Sequence, residues 1–195
     1  LGRRLSKTVN GTTARFLYDG KDLIGETDTA GTLLAQWVFG PGIDEPLRMT
    51  RGGLTHSYHA DGLGSVVVLT DSAGAVVESY AYDAFGQPQA PSALGNPFLF
   101  TGREYDAETG LYHYRARTYD SRLGRFLQRD PVGYGPDVNI YRYVWNNPLR
   151  WIDPFGLEKA AWWQVIDEFL MPSAEADDER RRTVFDPGTA AGGVG

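Results

Sequence analysis

The chain has 195 residues, enough for one domain of ordinary size with a real core. With 19 Lys and Arg against 25 Asp and Glu its formal charge is −6, which excludes a basic, phosphate-tracking surface as its main business and argues against a nucleic-acid partner. The absence of cysteine excludes disulfides, thiolate nucleophiles and sulfur-ligated metals together, and no run approaches the ~18 apolar residues of a membrane span.

The start, Leu1-Gly2-Arg3-Arg4, has neither an initiating Met nor the apolar core of a signal peptide, so the chain reads as an excised piece of something longer. Its 24 Gly and 11 Pro cut it into short pieces, and 11 Tyr and 5 Trp favour strands over long helices. A hairpin opens it: Arg4–Val9 and Thr12–Tyr18 flank Asn10-Gly11, the dipeptide that type I′ turns require. A turn at Asp28-Thr29-Ala30-Gly31 recurs 43 residues later as Asp71-Ser72-Ala73-Gly74. The residues that follow correspond as well: Leu33, Leu34, Trp37 and Phe39 match Val76, Val77, Tyr80 and Tyr82, so one supersecondary unit is used at least twice. Tyr-Asp dipeptides at Tyr18, Tyr82, Tyr105 and Tyr119 mark the same architecture.

A third hairpin is predicted around Asp106–Gly110, followed by a strand with Tyr112, Tyr114 and Ala116 on one face and His113, Arg115 and Arg117 on the other. From Phe126 to Trp151, aromatic residues alternate with turn signals such as Asn146-Asn147-Pro148, as in loop-rich packing. The pattern switches at Leu157. Over Glu158–Met171 the residues Trp162, Val165, Ile166, Phe169 and Leu170 fall at helical spacing before Pro172, which predicts one short C-terminal helix. Ser173–Gly195 is polar and small, like a linker or the truncated start of another module.

Two copies of one tetrapeptide, Asp130-Pro131-Val132-Gly133 and Asp153-Pro154-Phe155-Gly156, stand 23 residues apart, and the second runs into Leu157. Asp at i, Pro at i+1 and Gly at i+3 is a type I turn signature. Two carboxylates on rigid turns could share one proton and hydrolyse a peptide bond, the nearest candidate being the chain's own. The same tetrapeptide is a good turn whether or not anything is cut, and that alternative stays open at this stage. His59, Asp61 and Ser65 supply triad residue types but crowd within seven residues without a nucleophile elbow, and they read as a turn. Gly62-Leu63-Gly64 precedes a β-like run and is no phosphate cradle. His56, His59 and His113 lack the spacing of a metal set, and Arg180–Arg182 beside an acidic run reads as solvated charge. Neither a metal nor a cofactor is expected.

Residues 58–157 resemble the RHS repeat-associated core domain that ends YD-repeat (Rhs) proteins. The resemblance lies in Tyr58-His59-Ala60-Asp61-Gly62-Leu63-Gly64-Ser65, Tyr82-Asp83-Ala84-Phe85-Gly86, Asn96-Pro97-Phe98, Phe100-Thr101-Gly102-Arg103-Glu104, Glu108-Thr109-Gly110-Leu111-Tyr112, Tyr114-Arg115-Ala116-Arg117, Gly124-Arg125-Phe126-Leu127, both Asp-Pro-x-Gly words and the terminal Leu157. Residues 1–57 look like the preceding YD-repeat hairpins. Ser121 and Gly135-Pro136-Asp137 depart from the family pattern.

The resemblance implies an all-β fold, a YD-repeat hairpin strip that winds into a hollow shell. It further implies a bacterial toxin of the secreted, polymorphic kind used in competition between bacteria, delivered out of the cell. A variable C-terminal passenger, beginning at residue 158, would sit inside the shell. On the same resemblance Asp130 and Asp153 form the catalytic pair of an aspartyl-protease-like self-cleavage, Arg117 supports them, and the cut falls between Leu157 and Glu158. The implied partners are the chain's own passenger, the upstream shell, and a secretion-system spike or toxin-complex subunit. The 38 residues after Leu157 are too few for a typical self-stable passenger. Set against this is a non-enzymatic container wall or adhesive scaffold.

Overall fold

The computed structural model describes residues 2–133, 139–157 and 160–161. Eight strands follow one another as an antiparallel meander: β1 (Ser6–Val9), β2 (Thr12–Asp19), β3 (Asp22–Thr27), β4 (Leu33–Phe39), β5 (Pro46–Arg51), β6 (Leu54–Ala60), β7 (Val66–Thr70) and β8 (Val76–Ser79). A second sheet of order β12-β11-β10-β9 holds β9 (Glu104–Asp106), β10 (Leu111–Tyr114), β11 (Arg117–Asp120) and β12 (Arg125–Phe126). A short ladder joins β13 (Trp151–Ile152) to β14 (Ala160–Ala161). The fold is all-β, a strip of YD-repeat hairpins docked on a smaller sheet.

Local chemistry explains the strip. Asn10 and Gly11 take positive φ, 48° and 81°, as a type I′ turn needs, and set the register Val9 to Thr12. Between β3 and β4 the carboxylate of Asp28 accepts the N–H groups of Ala30 and Thr32, both at 2.8 Å. Asp71 does the same for Ala73 and Ala75 between β7 and β8, so the 43-residue repeat is a repeat of structure. Two further copies stand at Asp61, where the residues already read as a turn, and at Asp83. Each Asp satisfies amides that a reversing backbone would otherwise leave bare.

Two expectations are corrected. The strand after Asp106–Gly110 does not run on to Arg117: Arg115 takes φ 49° and the chain reverses, so Tyr114 pairs with Arg117. Arg117 therefore opens β11 and turns inward, where an unbroken alternation would have faced it outward. At the other end, Ala160 and Ala161 lie in β14, hydrogen-bonded to β13, where the predicted helix should have had its first turn; strand pairing overrides the local periodicity there. The rest of the predicted helix lies outside the described residues.

Two aromatic clusters form the core. Phe98 meets Trp37, Phe39 and Tyr58 edge-on, with centroids 5.6, 5.2 and 6.5 Å away. Under the second sheet, Tyr112, Tyr114, Tyr119, Phe126 and Tyr143 are almost wholly buried against one another. Their hydroxyls are tied off: Tyr112 donates to the Gly86 carbonyl, Tyr119 to that of Phe85, and Tyr114 shares a bond with Thr101. Ion pairs hold strip to sheet, with Arg4 on Glu104 and Asp106 and Lys7 on Asp106 and Glu108.

Asn96 joins the clusters. Its side chain accepts from the Tyr58 hydroxyl and the Phe98 N–H and donates to the Phe98 carbonyl, all buried, and donates to the part-buried Tyr80 hydroxyl. Asn96→Ala leaves several of these groups unpaired and is expected to cost about 3 kcal/mol, since each buried orphan costs about 1–3 kcal/mol. Chemical denaturation checks it; a loss under about 1 kcal/mol would contradict this account of the core.

Candidate active site

Asp130 and Asp153 sit in the same carboxylate-stapled turn that shapes the strip. At Asp130 the Gly133 N–H reaches the backbone carbonyl at 3.0 Å and the Val132 N–H reaches Oδ1 at 2.9 Å. At Asp153 the Gly156 N–H reaches the carbonyl at 3.4 Å and the Leu157 N–H reaches Oδ1 at 3.1 Å. In both residues the turn occupies Oδ1, which leaves Oδ2 to point elsewhere. Both second oxygens point to Arg117.

The guanidinium of Arg117 lies 3.1 Å through Nη1 from Asp130 Oδ2, and its Nη2 donates to Asp153 Oδ2 at 2.9 Å. Its Nε donates to the Gly156 carbonyl and Nη1 also reaches the Ile140 carbonyl at 3.3 Å. The group stacks 3.6 Å from the centroid of Phe126. Burial pulls the guanidinium below its ordinary pKa, and the nearby charges of Asp153 and then Asp130 pull it back up. An arginine in this position remains a cation throughout the physiological range.

The two acids are not equivalent. The Asp153 side chain is 2% exposed and Asp130 17%, so water reaches one and is shut out from the other. Arg117 holds both carboxylates at once. That arrangement lets two acids meet on one cation inside the fold.

Gly156 seats the second turn. At φ 67° a Cβ here would stand 2.3 Å from the Tyr114 carbonyl and 3.1 Å from the Arg117 nitrogen. Only glycine permits that approach, which the Ala116 N–H completes by donating to the Phe155 carbonyl at 3.2 Å. The turn between β10 and β11 thus carries Arg117 into the site and buttresses Asp153 at once. Leu157 follows directly, half-buried, with its amide on Asp153. Glu158 lies outside the described residues.

The remaining sequence candidates fall elsewhere. His59 Nε2 pairs with the Thr70 hydroxyl, Asp61 staples its own turn, and the Ser65 hydroxyl accepts from the Thr101 N–H, so the three build structure and no triad. Gly62-Leu63-Gly64 is the turn into β7. Among the described residues no cluster of three or more His, Asp or Glu is placed to bind a metal, and no helix is long and apolar enough to cross a membrane.

Residues 46–149 match the family described as Teneurin YD-shell. The chain is 37% identical over 165 residues to the tRNA3(Ser)-specific nuclease WapA of Bacillus spizizenii, covering 80% of this chain and 7% of that protein. It is 30% identical over 192 residues to the double-stranded DNA deaminase toxin A of Burkholderia cenocepacia, covering 80% of this chain and 13% of that protein. The chain is therefore a small part of the length of either relative. Its fold is similar to a crystal structure of TcdB2-TccC3-TEV, with a TM-score of 0.63 at 24% identity over 80% of this chain and 8% of the other. With its hairpin meander, its Tyr-Asp turns and the family match over more than half its length, this chain belongs to the teneurin YD-shell family and has the Rhs-type core fold.

Proposed function

We propose that the chain is the C-terminal part of an Rhs/YD-repeat toxin shell that encloses a C-terminal passenger and cuts its own backbone once, between Leu157 and Glu158. The single observation that carries this reading is the meeting of Asp130 and Asp153 on Arg117, with the Asp153 carboxylate also holding the amide of Leu157. Among the described residues five other aspartates staple turns of the same kind through Oδ1. A purely architectural role gives no reason for two of the seven to converge on one buried cation.

In this reading Asp130, the acid open to solvent, takes a proton from a water. The water oxygen bonds to the Leu157 carbonyl carbon, and the proton passes through the acid pair to the nitrogen of Glu158 as the C–N bond breaks. Leu157 is left with a carboxylate and Glu158 with an amine. General acid–base assistance is worth roughly 10²–10⁴ in rate, and a scissile bond tethered beside the acids adds the larger benefit of proximity. Arg117 lowers the cost of crowding two carboxylates. A cut made once per molecule tolerates a modest rate.

Residues 1–57 would then be the last hairpins of the shell, 58–157 the self-cleaving core and 158 onward the start of the passenger. The partners are that passenger, the upstream shell and a delivery spike or toxin-complex subunit outside the producing cell. The names of the nuclease and deaminase-toxin relatives agree with such cargo, as an inference by kinship. The second reading, a container wall without chemistry, draws on the turn-stapling role that each Oδ1 already has.

Intact-mass measurement of the purified chain over time is expected to show fragments ending at Leu157 and beginning at Glu158, while Asp130→Asn and Asp153→Asn each remain whole. Persistence of the split in both variants assigns the cut to another agent, and a folded, unaltered chain that never splits establishes the container. Gly156→Ala pushes a methyl into the Tyr114 carbonyl at a left-handed position, itself worth ~1–2 kcal/mol of strain. It is expected to slow the cut at least ~10²-fold, as a misplacement of about 1 Å does; an unchanged rate would contradict the role given to this turn.

A further inference from the structure

Arg115, two residues before the cation that joins the acids, grips the same cleavage turn from behind. Its Nη1 donates to the Pro154 carbonyl, the peptide oxygen directly after Asp153. What holds Arg115 comes from the far side of the chain. Asp44, in the turn between β4 and β5, accepts Arg115 Nη2 on Oδ1 at 2.6 Å and Arg115 Nη1 on Oδ2 at 3.0 Å. The same Asp44 Oδ1 accepts Arg103 Nη1 at 2.6 Å, and Arg103 is itself anchored on the His113 carbonyl.

The contact is tightly specified. Asp44 is 8% exposed, and Gly102 approaches so closely that a Cβ there would stand 2.1 Å from the Asp44 carbonyl. From the same end of the strip, in the turn between β2 and β3, the ammonium of Lys21 lies 4.8 Å from the centroid of Phe155. Arg115 lies 5.4 Å from that ring on its own account. Two turns of the hairpin strip thus touch the Asp153-Pro154-Phe155-Gly156 turn or the arginine that holds it.

We infer that Asp44 and Arg115 are a positioning pair by which the docked hairpin strip sets the cleavage turn, so that the acid pair is completed only after the strip has folded onto the core. The inference rests on the self-cleavage reading and adds its control. With Asp44 absent, two buried guanidinium groups face each other without a counter-charge. Arg115 then withdraws toward solvent, the Pro154 carbonyl loses its donor, and Asp153 and Leu157 lose their fixed placement against Arg117. A core whose strip has not closed keeps its passenger attached.

The test uses the full chain with Arg115→Met, Arg115→Lys and Asp44→Asn, and reads two quantities. Cleavage is followed by intact mass. Amide hydrogen exchange at Ala116, Gly156 and Leu157 is followed on an Asp130→Asn background, where the chain stays whole. Arg115→Met and Asp44→Asn are expected to slow the cut about tenfold or more and to speed exchange at those three amides by a similar factor, with Tyr112 and Tyr119 amides unchanged. Arg115→Lys, which keeps a cation beside Asp44, is expected to recover much of both. Exchange that is unaltered at the turn overturns the inference, as does protection lost equally across β10 and β11. If exchange behaves as expected while the unaltered chain never splits, the positioning stands and the self-cleavage reading falls.

Discussion

The structure around the junction depends on one cation shared by two acids. Arg117 reaches Asp130 and Asp153 with its two terminal nitrogens, and each acid is fixed by a turn that uses its other oxygen. Neither carboxylate could be brought so close to the other without a positive charge, and a buried cation of this kind would be costly without the two acids. The three residues come from β11 and from two separate turns. Pro131 and Pro154 stiffen the turns, and Gly156 lets one of them lie against the backbone that carries Arg117.

Charge is also the mortar elsewhere. The strip meets the second sheet through Arg4 and Lys7 on Glu104, Asp106 and Glu108, and through Asp44 on Arg103 and Arg115. The Asp44 pairs are buried, and buried pairs add little net stability when complete and are costly when halved, by roughly 3–5 kcal/mol, so they act chiefly to admit a single docking geometry. The aromatic clusters supply the apolar driving force, and the ionic contacts decide where the strip comes to rest. That division would suit the proposed self-cleavage, which depends on the registration of distant turns.

Much of this was legible in the residues. Asn10-Gly11 named its turn, the Asp-x-x-Gly words named theirs, and the ordered words of the YD-repeat core located Asp130, Asp153 and Arg117. What failed did so for physical reasons. The alternation through Tyr112, Tyr114 and Ala116 hides a reversal at Arg115, because a positive φ at an arginine leaves no mark in the pattern. The helical spacing after Leu157 is real as a pattern, yet at Ala160 and Ala161 pairing with Trp151 and Ile152 decides the backbone. Asp44 carried no signal at all: its partners lie 59 and 71 residues away, and only the folded strip brings them together.

The most direct measurement of the central claim is the incorporation of heavy oxygen. The freshly refolded chain would be allowed to process in water enriched in that isotope, at several protein concentrations. Hydrolysis by the acid pair within one molecule predicts a fragment ending at Leu157 that carries one heavy oxygen in its new carboxylate, formed at a rate independent of concentration. A folded chain that yields no such fragment, or one whose rate grows with concentration, would contradict it.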